Sequence, residues 1–250
     1  MTDRREHRRA GKAGSSGYDP VARALHWLAA LAILALIALG LVMVRLPATD
    51  ETEVARVFRA YSIHKTLGLG VLALAALRIG WRFRHPGPGP LHPDRRAETA
   101  LARLVHNTLL GAMLVLPVSG VLRHSAAPGF APILWPLGQS LPFLPADERL
   151  ALIFASVHQV SGWLLFAALG LHLLGVVKHR FIDRDATLAR MLSGTGPPVP
   201  PAGRAMASVL VAAALWAAAV LAGYLLAPEP APDPFDLIAP ADGAAPPPTD

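Results

Sequence analysis

Residues 156–179 read SVHQVSGWLLFAALGLHLLGVVKH, and the fold turns on how this stretch is understood. It is apolar and long enough to cross a bilayer, since a helix rises about 1.5 Å per residue and the hydrocarbon core is about 30 Å thick. Two histidines sit inside it. His158 and His172 are fourteen residues apart, which at about 100° per residue returns them to nearly the same helix face, roughly 21 Å apart along the axis. One face therefore presents imidazoles at two depths. An ionisable group within a membrane is costly and marks a functional site by default, and neutral imidazole is a common metal ligand.

The rest of the chain agrees with a membrane setting. Of 250 residues, 53% are hydrophobic and only 16% charged, against about 25% charged in a soluble domain. The net charge of +6 does not argue for nucleic acid, because basic loops in a polytopic chain record orientation. Cysteine is absent, which excludes disulfides, iron–sulfur clusters, thiolate-ligated haem and covalent c-type haem. A cofactor must then be held by histidine, methionine or carboxylate. The N-terminal segment is basic and polar to Ser16 with no apolar h-region directly behind it, so no cleaved signal peptide is expected.

Taken in order, residues 1–17 form a flexible basic cytoplasmic arm, and 18–193 a bundle with spans at about 24–44, 61–83, 101–122 and 152–177. Residues 46–59 read as a short connection, and 123–150 as the longest loop between spans. A Pro/Gly linker occupies 194–204, a further span without charge or histidine 205–227, and a disordered acidic tail 228–250. Seventeen of the twenty-three Lys and Arg fall in the arm and first turn, in 78–103 and in 178–204; the others are Arg45, Arg56, Arg59, Lys65, Arg123 and Arg149. The positive-inside rule puts the N-terminus in the cytoplasm and the C-terminus outside, in agreement with five spans. The fold class is an all-α membrane protein with a fifth, C-terminal transmembrane helix beyond the first four spans.

That topology gives each histidine a depth. His26 and His172 share the inner level, and His64 and His158 share the outer one. Two levels with two imidazoles each suit bis-histidine ligation of two non-covalent b haems, whereas zinc favours three or four ligands clustered at one level. A weak repeat supports the outer pair: residues 62–68, SIHKTLG, and 156–162, SVHQVSG, match as S-[IV]-H-[KQ]-x-x-G. Gly68 and Gly162, four residues beyond a ligand, lie on its face and remove a side chain that would collide with a flat macrocycle. In the same register Arg78 corresponds to His172 and is placed to pair with a haem propionate.

At these residues a family resemblance becomes specific. The ALHWL start, SIHKTLG, LPVSG, and the run from VHQ to GLHLLGVVKHRFIDRDATLARML resemble the bacterial cytochrome b561 family, which includes di-haem superoxide:ubiquinone oxidoreductases, over about residues 18–193. The resemblance implies a four-helix transmembrane bundle holding two b haems, with His26/His172 and His64/His158 as haem iron pairs, an inner-membrane location, and ubiquinone as a substrate. The fifth helix and acidic tail depart from the four-span pattern.

Other residues carry blander readings. A lone helical histidine is usually a satisfied polar residue, and His106, without a free partner, is read as hydrogen-bonded within the bundle or touching a propionate. His7, His85, His92, His124 and His179 are read as solvated. Lys65, Arg123 and His124 sit at the outer mouth, where a small anion would approach, although Asp50, Glu51, Asp147 and Glu148 dilute the positive field. Two functions follow. One is an oxidoreductase passing electrons between an outer one-electron reactant, superoxide by resemblance, and the quinone pool. The other is a membrane-anchor cytochrome b subunit or quinol-linked carrier serving an outer redox protein. Membrane lipid and quinone are partners in both; nucleic acid in neither.

Overall fold

The computed structural model describes residues 17–127, 131–136, 138–200 and 206–231. The expected arm, except Gly17, lies outside the described residues, as do 201–205 at the end of the linker and start of the last span, and the tail beyond 231.

Helix α1 spans Pro20–Met43. Asp19 starts it by accepting the Val21 and Ala22 N–H groups at 3.0 and 2.9 Å, and Pro20 occupies a first-turn position where its missing N–H costs nothing. Helix α2 spans Glu51–Arg84. Asp50 accepts the Glu53 N–H at 2.8 Å, with acidic Glu51 and Glu53 in the first turn and basic Arg82 and Arg84 in the last, each complementing the helix dipole. The connection expected over 46–59 is thus corrected: from Glu51 onward it is helical. Its capped, charged first turns are hydrophilic, so an apolar window opens only near Tyr61.

Helix α3, Arg96–Ala126, continues through Pro117. Helix α4, Glu148–Val177, is capped by Asp147, which accepts the Leu150 N–H at 2.7 Å. Its end widens into a π-helical turn, Lys178–Asp183, closed by Arg184 in the left-handed region at φ 52°. A short α5, Thr187–Leu192, follows, begun by Asp185 accepting the Thr187 N–H at 2.8 Å; α6 spans Met206–Leu225. Among the described residues, α1, α2, α3, α4 with its π extension, and α6 are long and apolar enough to cross a membrane.

Consecutive helices pack side by side, α1 on α2, α2 on α3 and α3 on α4, while α6 lies against both α3 and α4. Small residues let the backbones approach. Ala29, Val71, Ala75 and Met113 form one buried cluster across α1, α2 and α3; Ala112, Leu165, Trp216 and Ala219 form another across α3, α4 and α6. Leu31, Leu77, Trp163, Leu174 and Leu210 are more than half exposed on the outside, where lipid takes the place of a core.

The last helix is not an appendage. The Trp216 indole stands over Gly111 so closely that any side chain there would collide with it, and its Nε1 donates to the Thr108 carbonyl at 3.1 Å. Gly223 does the same against the Val157 backbone, and Asn107 Nδ2 donates to Ser208 Oγ at 3.0 Å. Small-residue contacts of this kind drive helix association where no hydrophobic effect operates.

Candidate functional site

The histidines meet in pairs at two levels, here called proximal, near the α1 start, and distal. At the proximal level the His26 and His172 rings lie 6.3 Å apart between centroids at an interplanar angle of 60°. At the distal level His64 and His158 also lie 6.3 Å apart, at 68°. A metal ion about 2 Å from the facing nitrogen of each ring, the usual metal–imidazole bond, sets the centroids about 6.4 Å apart when the rings face one another in line. Both pairs stand at a spacing that two imidazoles sharing one metal ion would have.

The protonation of one distal ring follows from its partners. His158 Nδ1 lies 3.0 Å from the Leu116 carbonyl, which can only accept, so Nδ1 carries the proton and Nε2 keeps its lone pair for a metal. Ser119 Oγ, 3.1 Å from the same nitrogen, steadies the ring. His64 Nδ1 is buried with no hydrogen-bond partner among the described residues.

Glycines shape the space. A Cβ on Gly40 would come within 3.3 Å of the His64 ring, so Gly40 makes room for that imidazole, whereas one on Gly120 would meet His158 at an ordinary contact of 3.6 Å. A Cβ on Gly68 or Gly162 would meet nothing within 4 Å: there is room on the faces that carry His64 and His158. Sequence reasoning missed Gly40 and Gly120, although a signal existed. Gly40 follows His26 by fourteen residues and Gly120 follows His106 by fourteen, the interval that also joins His64 to Arg78 and His158 to His172. Each of α1–α4 thus brings one residue of this register to each level.

At the proximal level Arg78 stands within electrostatic reach of His26, His106 and His172. His106 lies edge-on to His172 with centroids 5.1 Å apart, a contact the sequence did not suggest. Between the levels Ala29, Val71, Ala75 and Met113 are at most 4% exposed, so the intervening layer is dry.

The outer-mouth residues behave differently from expectation. Lys65 Nζ donates to the Ala131 carbonyl at 2.7 Å and to His124 Nδ1 at 3.1 Å. His124 Nε2 then donates to Gln139 Oε1 at 3.2 Å, and Gln139 ties both backbone groups of Ile133 at 2.8 and 3.0 Å. His124, read as solvated, is buried at 6% exposure, because the α3–α4 connection folds back as a latch; Arg123 is exposed. Three other histidines are also engaged. His85 stacks on Trp81 at 4.0 Å, and His92 Nε2 and His179 Nδ1 both reach Asp185, at 3.0 and 2.8 Å; His7 lies outside the described residues.

Asp185 belongs to a polar lock that fastens the π turn. Lys178 pairs with Glu98 and Asp183 at 2.8 and 2.6 Å, and Arg95 with Asp183 at 2.9 Å. Burial pushes the Asp185 carboxyl up, but the Thr187 and His179 hydrogen bonds outweigh it and hold the group down at about 2. Glu98, His179 and Asp183 gather three possible metal-ligand atoms within 4.8 Å of one another, yet Lys178 and Arg95 already neutralise the carboxylates.

Comparison with known proteins decides the family. Residues 17–194 match the family model of prokaryotic cytochrome b561. The chain belongs to the prokaryotic cytochrome b561 family. It is 32% identical to cytochrome b561 homolog 2 of Escherichia coli (strain K12) over 176 residues, 70% of this chain and 90% of that protein. It is 26% identical to the probable superoxide oxidase CybB of Yersinia pestis over 134 residues, 52% of this chain and 73% of that protein. The protein is a membrane electron-transfer cytochrome of a b-type haem family, and helix α6 of this b561 protein lies beyond the residues that the family model covers.

Proposed function

We propose that this cytochrome b561 carries two b haems, bis-ligated by His26/His172 and His64/His158, and passes electrons from a one-electron reactant at the distal surface to the quinone pool. The observation that carries the reading is the pair of 6.3 Å imidazole spacings, stacked in one bundle. A bound b haem supplies reversible one-electron chemistry at its iron.

The chain's own residues supply the rest. The Leu116 carbonyl and Ser119 hold His158 in the tautomer that leaves Nε2 free to bind. Gly40 leaves the room that the His64 ring occupies, and the apolar layer between the levels excludes water from the path. The basic excess near the α1 start supports a proximal end in the cytoplasm and a distal end outside the bacterial inner membrane.

Superoxide is the distal reactant this reading favours, supported by the name of the Yersinia relative and by the positive charge of Lys65 and Arg123. Two superoxide ions each give up one electron and leave as dioxygen; one ubiquinone takes both electrons with two protons and leaves as quinol. Arg123, exposed, and Lys65, one residue from His64, are the cations that would draw the anion in. Lys65 also fastens the latch, so its charge is held in place.

The test is quinone reduction by superoxide with the purified chain alone, followed against ionic strength. A rate that falls steeply with salt, and further in Arg123→Gln, supports the reading, because screening shortens the reach of surface charge to about 8 Å at 0.15 M. Haem reduction only in the presence of an added outer redox protein would instead make the chain a membrane-anchor carrier.

A further inference from the structure

Arg190, on α5, is 5% exposed, and its Nε and Nη2 are buried with no hydrogen-bond partner among the described residues. Arg23, on α1 and only half-buried, repeats part of the pattern: Nη1 donates to the Leu192 carbonyl at 2.9 Å while Nε is buried with no hydrogen-bond partner among the described residues. A guanidinium stays charged in proteins, and a buried charge without a partner is among the costliest arrangements a fold can hold. Burial pulls Arg190 below the ordinary guanidinium value; Asp185 acts on it only through space, its carboxylate being occupied by His92, His179 and Thr187. Among the described residues, two arginines from two elements therefore hold buried guanidinium nitrogens with no carboxylate bonded to them.

Their place in the fold points to the anion they suit. Arg23 precedes His26 by three residues, one helical turn nearer the bundle end on an adjoining face. Helix α5 is fastened directly beneath: the Trp27 indole, next to His26, donates to the Met191 carbonyl at 3.2 Å, and the Tyr18 N–H to the Arg190 carbonyl at 3.3 Å. Tyr18 lies within electrostatic reach of both Arg190 and Arg78, and Arg78 in turn reaches His26 and His172. The unpartnered guanidinium nitrogens thus lie on two elements fastened together at the His26 end of the bundle.

We propose that Arg23 and Arg190, together with Arg78, form a carboxylate clamp for the propionate groups of the proximal haem. This rests on the two-haem reading above. The propionates are the only peripheral charges of a b haem, and an arginine fork binds a carboxylate through two parallel N–H bonds. Helix α5 is then a haem-docking element rather than a surface turn, and its arginine tunes the proximal iron. Each electron added to that iron is stabilised by a fixed positive charge nearby.

Redox titration of the purified full chain tests the clamp, with haem and phospholipid phosphorus counted on the same samples. The two midpoints are assigned by their loss in His26→Ala and His64→Ala. Arg190→Gln is expected to weaken reduction of the proximal haem about tenfold, about 59 mV for a one-electron couple, and to leave the distal midpoint in place. Arg190→Lys, which keeps the charge and loses the fork, is expected to recover most of the shift. If Arg190→Gln fails to fold, Arg23→Gln reads the same effect in the same direction. Unmoved midpoints at full haem content would overturn the clamp. Loss of bound phospholipid with unmoved midpoints would also overturn it, and would assign the arginines to a headgroup phosphate. Fewer than two b haems on the wild-type chain would sink the reading beneath the clamp instead.

Discussion

Replacing Trp216 by alanine tests whether α6 is part of the bundle or merely attached to it. Trp216 is 6% exposed, packs with Ala112, Leu165 and Ala219, and donates to the Thr108 carbonyl at 3.1 Å. Truncating a buried tryptophan costs about 3–5 kcal/mol, mostly through the cavity left behind. The lost hydrogen bond contributes about 1 kcal/mol of that at most, and the Thr108 carbonyl remains within helix α3. The reciprocal change is Gly111→Ala, which drives a methyl group into the indole and costs about 1–3 kcal/mol by overpacking. In the Trp216→Ala background the same methyl enters the vacated space, so its effect should vanish or turn stabilising. Unfolding midpoints of the four proteins in one detergent, read by far-ultraviolet circular dichroism, give the cycle. Additive effects, or a Trp216→Ala loss under about 1 kcal/mol, would refute the packing described for α6.

Two further perturbations separate the levels and the lock. Gly40→Leu should displace the His64 ring and diminish the distal haem signal while leaving the proximal one intact, read in low-temperature absorption spectra; equal loss of both would contradict the seating role of Gly40. Asp185 has a folded pKa below its ordinary 3.8, so the stability it contributes is complete above 3.8 and drains away as pH falls toward about 2. Melting temperatures across that window should drop more for wild type than for Asp185→Asn, and parallel curves would show that the lock contributes nothing.

Much of the candidate site is legible in the chain because a sequence interval matches a helical period. Fourteen residues are nearly four whole helical turns, so His158 and His172 announce one face and two depths. What is not legible depends on contacts between elements distant in sequence. The first turns of α2 are hidden because Glu51, Glu53, Arg56 and Arg59 dilute the apolar signal while the Asp50 cap sustains the helix. His124 looks solvated because its partner Gln139 comes from a loop whose course no local pattern fixes. The π turn gives no composition signal, since Lys178, His179 and Asp183 find their partners in the α2–α3 connection and at Glu98 of α3. Gly111 and Trp216 recognise one another across more than a hundred residues, and neither residue alone predicts the pairing.

Haem stoichiometry tests the two paired-histidine centres most directly. The haem-to-protein ratio of the purified wild-type chain, measured as pyridine haemochrome beside His172→Ala and His64→Ala, should be near two non-covalent b haems, with each variant losing a different one. One haem or none in the wild type, or the same haem lost in both variants, would contradict the assignment of the paired histidines to two separate iron centres.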